Sequence, residues 1–205
     1  THWREFIKTN CEGTAFLLKY FPDSKILNIS SSSAAEAKSI YGATKRFAEL
    51  IGFQHKNCLN VRLYNVFGEG QPIESGALVP ALISAKLKDQ KPTIYGDGEQ
   101  RRDFTYIGDV VHWLKKLMFD WDWEDYTDRD GIAHAGYGHS ISVNELCRMI
   151  FDGKMPEVDY KPARSYDIKF SRSPIRMKPI YGRKEGIKRI LEWWKDEILI
   201  SSKPL

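Results

Sequence analysis

Two short apolar runs on either side of a helical pattern constrain the fold of this chain most strongly. Residues 25–30 (KILNIS) and 59–68 (LNVRLYNVFG) have the apolar, β-branched composition of buried strands. Between them, residues from about Tyr41 to His55 place their apolar side chains on one side of a helix. Strand, helix and strand in this order predict a βαβ unit with a parallel sheet. We therefore expect an α/β fold.

The rest of the chain shows helical periodicity or short apolar runs, which predict further elements. In chain order these are a helix over 3–21, a helix near 77–87, a strand near 93–95, a helix over 109–119, a strand near 132–135, a helix from about 142 and a helix over 183–198. Ser142 and Glu145 have the spacing of a capping box at a helix start.

Composition excludes several classes of protein. Of the 205 residues, 42% are hydrophobic and 28% charged, which is typical of globular chains rather than disordered or collagen-like ones. The three cysteines lack zinc-type spacing and predict free or buried thiols in a reducing compartment, with no metal site. No apolar run reaches the roughly 18 to 20 residues that span a bilayer. We expect a cytoplasmic protein without a membrane partner.

Charge patterning leaves several interpretations open. The net charge is only +4, which does not by itself indicate nucleic-acid binding. Residues 120–130 are rich in Asp and Glu and predict a solvated surface loop. Residues 161–189 carry ten Lys and Arg against two acidic residues, and could form a solvated face, a nucleic-acid patch or the wall of an anion pocket. Few aromatic residues are interleaved, which favours a phosphate-bearing small molecule over a nucleic acid.

Tyr41 and Lys45 are the first candidates for chemistry. Four residues apart on a predicted helix, they share one face. A neighbouring ammonium favours the phenolate form of tyrosine, so the two can act as a proton-transfer unit. The serine run 30–33 follows a predicted strand, where a hydroxyl can face the ligand crevice at the carboxyl end of a parallel sheet. The alternative is that these serines cap a turn.

Seven segments occur in the order found in one family. They are NCEGTAFLL (10–18), ISSSS (29–33), YGATK (41–45), RLYNVFG (62–68), IYGDGEQRRDFTYIGDV (94–110), GYGHSISVNEL (136–146) and RSYD (164–167). This order resembles the extended short-chain dehydrogenase/reductases, in the branch of NAD-dependent nucleotide-sugar epimerases and dehydratases that includes UDP-galactose 4-epimerase. The resemblance covers nearly the whole chain.

The resemblance implies a catalytic and cofactor site. Tyr41 would be the acid/base for a sugar hydroxyl or keto oxygen, and Lys45 would bind the nicotinamide ribose. Ser31, or alternatively Ser32, would be the second hydrogen-bonding group at the sugar oxygen. The cofactor would be NAD, with NADP as the alternative. The residues assigned to it are Asn10, Tyr41, Lys45, Tyr64 and Val66.

The resemblance also implies a nucleotide-diphosphate sugar as substrate. At the diphosphate, Asn65 would make a contact and Arg102 and Arg164 would hold the charge. Thr93 and Tyr95 would flank the base, and Leu78 would line the site. Asp167 would reach a ribose hydroxyl. Guanidinium groups suit a diphosphate because their planar donors pair bidentately with its oxygens. For Arg102 and Asp103 the alternative is a surface ion pair. A homodimer through the helices containing Asn10 and Tyr41 is implied as well.

The chain departs from the family pattern in three places. It contains no G-x-G-x-x-G sequence, which the family carries near its N-terminus for the cofactor pyrophosphate. We therefore expect a piece of a longer protein, with a partial Rossmann-like sheet whose N-terminal strands are missing. Ser31 and Tyr41 are ten residues apart, closer than in many relatives, and Gly108 occupies a position that is often polar.

The predicted domains follow from this expectation. Residues 1–66 would be the remainder of the Rossmann-like domain, and residues 67–205 a smaller α+β substrate domain, with a segment near 104–120 packing back on the first. The leading hypothesis is a nucleotide-sugar epimerase or dehydratase. The alternative is a truncated, non-catalytic remnant that binds nucleotide sugars or a partner protein. Nucleic-acid binding through 161–189 is the least favoured reading.

Overall fold

A computed structural model describes residues 2–72, 75–120, 123–164 and 169–201, with side chains up to residue 196. Its contacts divide into two compact units. The first consists of Thr1–Tyr64, Val110–Gly138 and Arg172–Lys178, and the second of Asn65–Asp109, His139–Ser171 and Pro179–Leu205. The first continuous segment ends two residues before the predicted boundary at 66, and the first unit also takes in two later segments.

Helices and strands both occur along the chain, in places with two or three strands in succession. The helices are α1 (Trp3–Phe6), α2 (Gly13–Tyr20), α3 (Ile40–Gly52), α4 (Leu78–Leu87), α5 (Ile107–Phe119), α6 (Val143–Ile150) and α7 (Gly182–Ser201). The strands are β1 (Ile26–Ser31), β2 (Cys58–Leu63), β3 (Val66–Phe67), β4 (Thr93–Tyr95), β5 (Arg101–Arg102), β6 (Thr105–Tyr106), β7 (Ile132–Ala135), β8 (Ile141–Ser142) and β9 (Asp159–Lys161). A π-helical segment, Ile7–Glu12, joins α1 to α2, so the single helix expected over 3–21 is interrupted.

The first unit contains a parallel sheet in the order β1-β2-β7. Helix α3 connects β1 to β2, which confirms the predicted βαβ unit and the α/β fold class. Central strand β2 buries Leu59 and Val61 on one face and Asn60 and Arg62 on the other, as expected for a strand covered on both faces.

A row of polar side chains crosses this sheet in register. Ser30 of β1 pairs with Arg62 of β2, and Arg62 pairs with His134 of β7. All three residues are buried. Glu49 of α3 accepts hydrogen bonds from Ser30 Oγ at 2.6 Å and from Arg62 Nε at 2.7 Å. The hydrogen bonds from Ser30 and Arg62 to Glu49 therefore hold α3 against the sheet.

The second unit is built from short strand pairs and helices. Strands β3 and β6 are parallel, β4 and β9 are parallel, and β5 and β8 are antiparallel. Its core is formed by buried apolar side chains that include Leu82, Ile94, Leu146 and Ile190. The capping box at α6 is confirmed: Ser142 Oγ accepts from Glu145 N at 3.0 Å, and Ser142 N donates to Glu145 Oε2 at 2.6 Å.

Several expectations from the sequence were wrong in detail. The strand expected over 59–68 is divided, because Asn65 adopts a left-handed φ of 29° between β2 and β3. The strands β5, β6, β8 and β9 were not predicted, since two or three residues carry too little periodicity to detect.

The acidic stretch 120–130 is only partly a solvated loop. Asp125 and Asp130 are exposed, but Asp128 Oδ2 lies 2.8 Å from Nε2 of buried His134 and its Oδ1 accepts from Ile132 N at 3.0 Å. The alternative considered for Arg102 and Asp103, a surface ion pair, does not fit Asp103. Asp103 is fully buried and pairs with Arg183 Nη2 at 3.5 Å.

None of the helices in the described ranges has the length and apolar run needed to cross a bilayer. Among the same residues, no group of three or more His, Cys, Asp and Glu side chains is arranged to hold a metal ion.

Candidate functional site

Tyr41 and Lys45 lie in the first turns of α3. The helix starts where Ser39 Oγ accepts a hydrogen bond from Gly42 N at 3.0 Å, an N-cap that fixes the first turn. A Cβ on Gly42 would lie 2.5 Å from the carbonyl oxygen of Ser33. Only glycine allows this approach, so the serine segment and the Tyr41 turn are in direct contact.

Lys45 is held at the carboxyl end of β1. Its Nζ donates a hydrogen bond to the carbonyl oxygen of Ile29 at 2.9 Å. Burial lowers the pKa of Lys45 below its ordinary value, because desolvation disfavours the ammonium form. Tyr41 remains 37% exposed, and its ring packs edge-on against Phe6 with centroids 5.6 Å apart. The phenol is thus at the surface and not within the core.

Ser31 has the turn-capping role considered for the serine run. Ser31 is the last residue of β1, and its Oγ accepts from Ser33 N at 3.2 Å, capping a short 3₁₀ helix, Ser32–Ala34. This is the turn-capping alternative. A hydroxyl oxygen that accepts one hydrogen bond can still donate its own hydrogen. Ser31 and Ser32 therefore remain candidates at the carboxyl end of β1.

The other residues assigned to the cofactor are largely enclosed by protein. Asn10 is buried, and its Nδ2 donates to Thr44 Oγ1 at 3.0 Å. Tyr64 is buried with its hydroxyl 2.8 Å from His134 Nδ1. Val66 is half-buried in β3 and pairs with Thr105. The hydroxyl of Tyr64 is directed at a protein partner, so any ligand contact at this position falls to its backbone.

The second unit contains a cavity of about 270 Å³. Six of the seven residues that the resemblance assigns to the substrate line it, namely Asn65, Leu78, Thr93, Tyr95, Arg102 and Arg164. The seventh, Asp167, lies outside the described residues. The structure adds five residues to the lining: Gly76, Ala81, Gln100, Phe104 and Val143.

The cavity combines apolar walls with two guanidinium groups. The Arg164 guanidinium carbon lies 4.0 Å from the ring centroid of Tyr95. In this cation–π arrangement the planar cation is attracted to the face of the aromatic ring. Gln100 Nε2 donates to the Tyr95 carbonyl at 2.7 Å and fixes the end of β4. Two arginines beside an aromatic ring suit a ligand that carries both a planar base and phosphate groups.

Sequence reasoning missed the added lining residues for identifiable reasons. Phe104 and Val143 have the pattern of ordinary core residues, and both are buried. Gln100 lies in the polar run GDGEQRRDF, and no spacing distinguishes it from its neighbours. Within the basic segment 161–189, Arg164 reaches the cavity, whereas Arg183 is buried and donates from Nε to the Phe104 carbonyl at 2.9 Å.

Residues 2–127 match the family model described as the NAD dependent epimerase/dehydratase family. The chain belongs to this family. The match contains the Tyr41–Lys45 turn and the lining residues of the cavity up to Phe104.

Individual relatives agree with the family match. A putative UDP-glucose 4-epimerase of Methanocaldococcus jannaschii is 35% identical over 150 residues, which cover 66% of this chain and 45% of that protein. The UDP-N-acetylglucosamine 4-epimerase of Methanobrevibacter ruminantium, solved with UDP-N-acetylmuramic acid, is 26% identical with a TM-score of 0.79, covering 94% of this chain and 71% of that one. MoeE5, solved with UDP-glucuronic acid and NAD, is 27% identical with a TM-score of 0.78. The match covers 96% of this chain and 74% of MoeE5.

The match to the curated relative is partial in length. The chain spans less than half of the Methanocaldococcus protein. The structural agreement with Rossmann-like epimerases confirms the predicted fold class over nearly all of this chain.

Proposed function

We propose that this chain provides the acid–base residues and the nucleotide-sugar site of an NAD(P)-dependent nucleotide-sugar epimerase or dehydratase. The observation that carries the proposal is the cavity of the second unit. Six residues assigned independently to a nucleotide-sugar ligand line that single space, with Arg102 and Arg164 among them. UDP-sugars in related structures support UDP as the nucleotide.

The proton-transfer part of the reaction is assigned to Tyr41. In its phenolate form the exposed side chain can take a proton from a sugar hydroxyl onto Oη and later return it. Ser31 or Ser32 would donate a hydrogen bond to the same sugar oxygen. Lys45, already ordered by its bond to Ile29, would bind a ribose hydroxyl and orient the turn that carries Tyr41.

The side chains present fit the nicotinamide-ribose end of NAD. A half-buried ammonium and two serine hydroxyls stand at the carboxyl end of β1, the ligand-binding edge of open parallel sheets. Bound NAD would supply the hydride acceptor and donor for a sugar carbon. The residues proposed to hold it are Lys45, Tyr41 and the backbone at Tyr64 and Val66.

Binding measurements test the proposal at the cavity. Calorimetric titration with UDP should give saturable binding that Arg102→Gln and Arg164→Gln each weaken by roughly ten- to a hundredfold, because each removes a charge-assisted contact of about 1.5–3 kcal/mol. Arg148→Gln, an exposed change in the same unit, should leave affinity unchanged. Equal weakening by all three variants would reject the cavity as the binding site.

Turnover tests the catalytic part. A protein that contains this chain should interconvert or dehydrate a UDP-sugar, and Tyr41→Phe should abolish most of that rate since it removes the proton acceptor. Equal rates would remove Tyr41 from the mechanism. Binding of UDP together with no turnover of any UDP-sugar would favour the second candidate, a non-catalytic nucleotide-sugar binder, which the self-contained cavity of the second unit supports.

A homodimer belongs to the same proposal. Helices α2 and α3 expose large apolar side chains that a soluble surface seldom leaves uncovered, including Phe16, Leu17, Tyr20, Phe47 and Leu50. Phe47→Lys should shift the sedimentation of a dimer toward monomer, whereas Phe119→Lys, an exposed phenylalanine on α5, should not. A cytoplasmic location is also proposed, supported by three free thiols at Cys11, Cys58 and Cys147.

A further inference from the structure

The π-helical segment Ile7–Glu12 interrupts the first helix at Asn10. Such single-turn π segments recur at functional sites. Here Asn10 and Cys11 are both buried, and both contact Thr44: Asn10 Nδ2 donates to Thr44 Oγ1 at 3.0 Å, and Cys11 Sγ lies 3.8 Å from the Thr44 carbonyl oxygen. Thr14 Oγ1 donates to the Asn10 carbonyl oxygen at 2.8 Å, so this backbone acceptor has a hydrogen-bond partner at the irregular turn.

Thr44 connects this segment to the Tyr41 turn. While its Oγ1 accepts from Asn10, it donates to the Tyr41 carbonyl oxygen at 2.9 Å. Threonine hydroxyls often bond the preceding helical turn, but the bond from Asn10 spans 34 residues of sequence and is tertiary. Thr44 is itself buried. A continuous hydrogen-bonded path therefore runs from Asn10 through Thr44 to the backbone of Tyr41.

We infer that Asn10 and Thr44 are positioning residues for Tyr41 and Lys45, and that Asn10 acts on the Tyr41 turn through Thr44. The catalytic meaning of this inference rests on the proposed function. The hydrogen-bonded path itself does not depend on that function, because all of its groups lie within the first unit.

The inference predicts that the two residues act as one unit. Removing either hydrogen-bonding group breaks the same path, so the second removal adds little. If Asn10 instead bound the cofactor directly, the losses caused by Asn10→Ala and Thr44→Val would multiply. Thr44→Ser keeps the hydroxyl and should behave like the unaltered protein.

Hydrogen exchange of the ligand-free protein tests the path without relying on catalysis. Thr44→Val should speed amide exchange in the peptide spanning 39–45 by about fivefold, the effect expected from losing one hydrogen bond, while exchange across Cys58–Leu63 stays unchanged. Asn10→Asp, which keeps the side-chain volume but replaces the donor, should give the same local increase. Thr127→Val is the matched control, since its hydroxyl bonds Glu124 O at the surface. Unchanged exchange at 39–45 in both Thr44→Val and Asn10→Asp would overturn the inference.

Turnover then separates the two proposals. Thr44→Val should lower kcat about fivefold with KM for the UDP-sugar unchanged, Thr44→Ser should restore it, and adding Asn10→Ala to Thr44→Val should lower it no further. If the losses of kcat caused by Asn10→Ala and Thr44→Val multiply in the double variant, the inference is overturned. If Tyr41→Phe leaves turnover intact, the proposed function fails, and the exchange experiment still decides whether Asn10 and Thr44 are coupled to the Tyr41 turn.

Discussion

Arg62 binds the carboxylate of Glu49 through two hydrogen bonds, from Nε to Oε1 at 2.7 Å and from Nη2 to Oε2 at 2.8 Å. Glu49 is fully buried, and it belongs to the same helix as Tyr41 and Lys45. Ser30 completes the set by donating to Oε1 at 2.6 Å. The candidate catalytic turn is therefore fixed to the sheet by a buried ion pair one helical turn beyond Lys45.

Glu49→Gln should reduce the free energy of unfolding by about 3–5 kcal/mol, the cost of leaving one buried charge without its partner. Urea denaturation would measure it. Glu185→Gln is the matched control, because the Glu185–Arg189 pair is about 40% exposed on both sides and surface pairs contribute about 1 kcal/mol or less. Similar losses for the two variants would contradict the role given to Glu49.

The same ion pair predicts a pH dependence at the acid end. Burial opposes ionisation of Glu49, but hydrogen bonds from Arg62, Ser30 and Arg46 outweigh it and lower the pKa of Glu49 below the usual 4.5. A carboxyl with a depressed folded-state pKa contributes stability above its unfolded pKa and loses it as the pH falls through the folded value. Wild-type stability should therefore decline below pH 4.5. This component should be absent from Glu49→Gln in urea titrations at several pH values.

His134 predicts a second loss of stability on acidification, in a pH range above that of Glu49. Burial lowers the pKa of His134 below the usual 6.5, although Asp128 partly opposes the shift. Below pH 6.5 the unfolded chain takes up a proton that the folded protein does not, so the free energy of unfolding falls as the pH decreases. Neutral His134 donates to Asp128 and accepts from Tyr64, using both ring nitrogens.

Thermal denaturation across this range would measure the His134 effect. His134→Gln should flatten the dependence of Tm on pH between about 6.5 and 5, where an ordinary histidine titrates. His112→Gln, an exposed change on α5, should leave the wild-type slope intact. A His134→Gln slope equal to that of the wild type would refute the assignment.

The sequence predicted the parts of the site that depend on local pattern. Helical spacing placed Tyr41 and Lys45 on one face, and strand position placed Ser31 at the carboxyl end of β1. Both follow from geometry within one element. The substrate residues came from the family resemblance, and their clustering around one cavity required the fold.

The buried polar row could not be predicted in this way. Ser30, Arg62 and His134 each interrupt an apolar run, and nothing local indicates that they are neighbours. Their proximity depends on the register of three strands that are distant in sequence. The π-helical turn at Asn10 was missed for a related reason, since its interrupted periodicity still resembles an ordinary helix.

Asp109 makes a further tertiary contact that predicts a stability effect. Its Oδ1 accepts from Ile180 N at 2.7 Å and from Tyr181 N at 2.9 Å, and its Oδ2 accepts from Gly182 N at 2.9 Å. These amides precede and begin α7, where a negative charge also favours the helix dipole. Asp109→Asn should lower the free energy of unfolding by about 1–3 kcal/mol in urea, with exposed Asp130→Asn as the neutral control. Equal midpoints for the two variants would contradict this.

Gly108, which had no assigned consequence from sequence alone, approaches the ring of Tyr106. A Cβ on Gly108 would lie 2.5 Å from Tyr106 Cε1, and a Cβ on Gly186 would lie 2.5 Å from Cγ of the same ring. Tyr106 is buried, and its hydroxyl donates to Glu69 at 2.7 Å. Burial and the neighbouring Glu69 raise the pKa of Tyr106 to about 12. The ring therefore stays neutral and has little freedom to move aside.

Gly186→Ala should consequently destabilise the protein by about 1–3 kcal/mol through overpacking, although alanine ordinarily stabilises a helix interior by about 0.5–1 kcal/mol relative to glycine. Gly13→Ala is the matched helical control, since its Cβ would meet Lys8 O at an ordinary 3.7 Å, and it should be neutral or stabilising. In a Tyr106→Leu background the added cost of Gly186→Ala should shrink, because the smaller side chain leaves room for the methyl group. If Gly186→Ala costs the same with and without the Tyr106 ring, the close approach of that ring is not what requires glycine at this position.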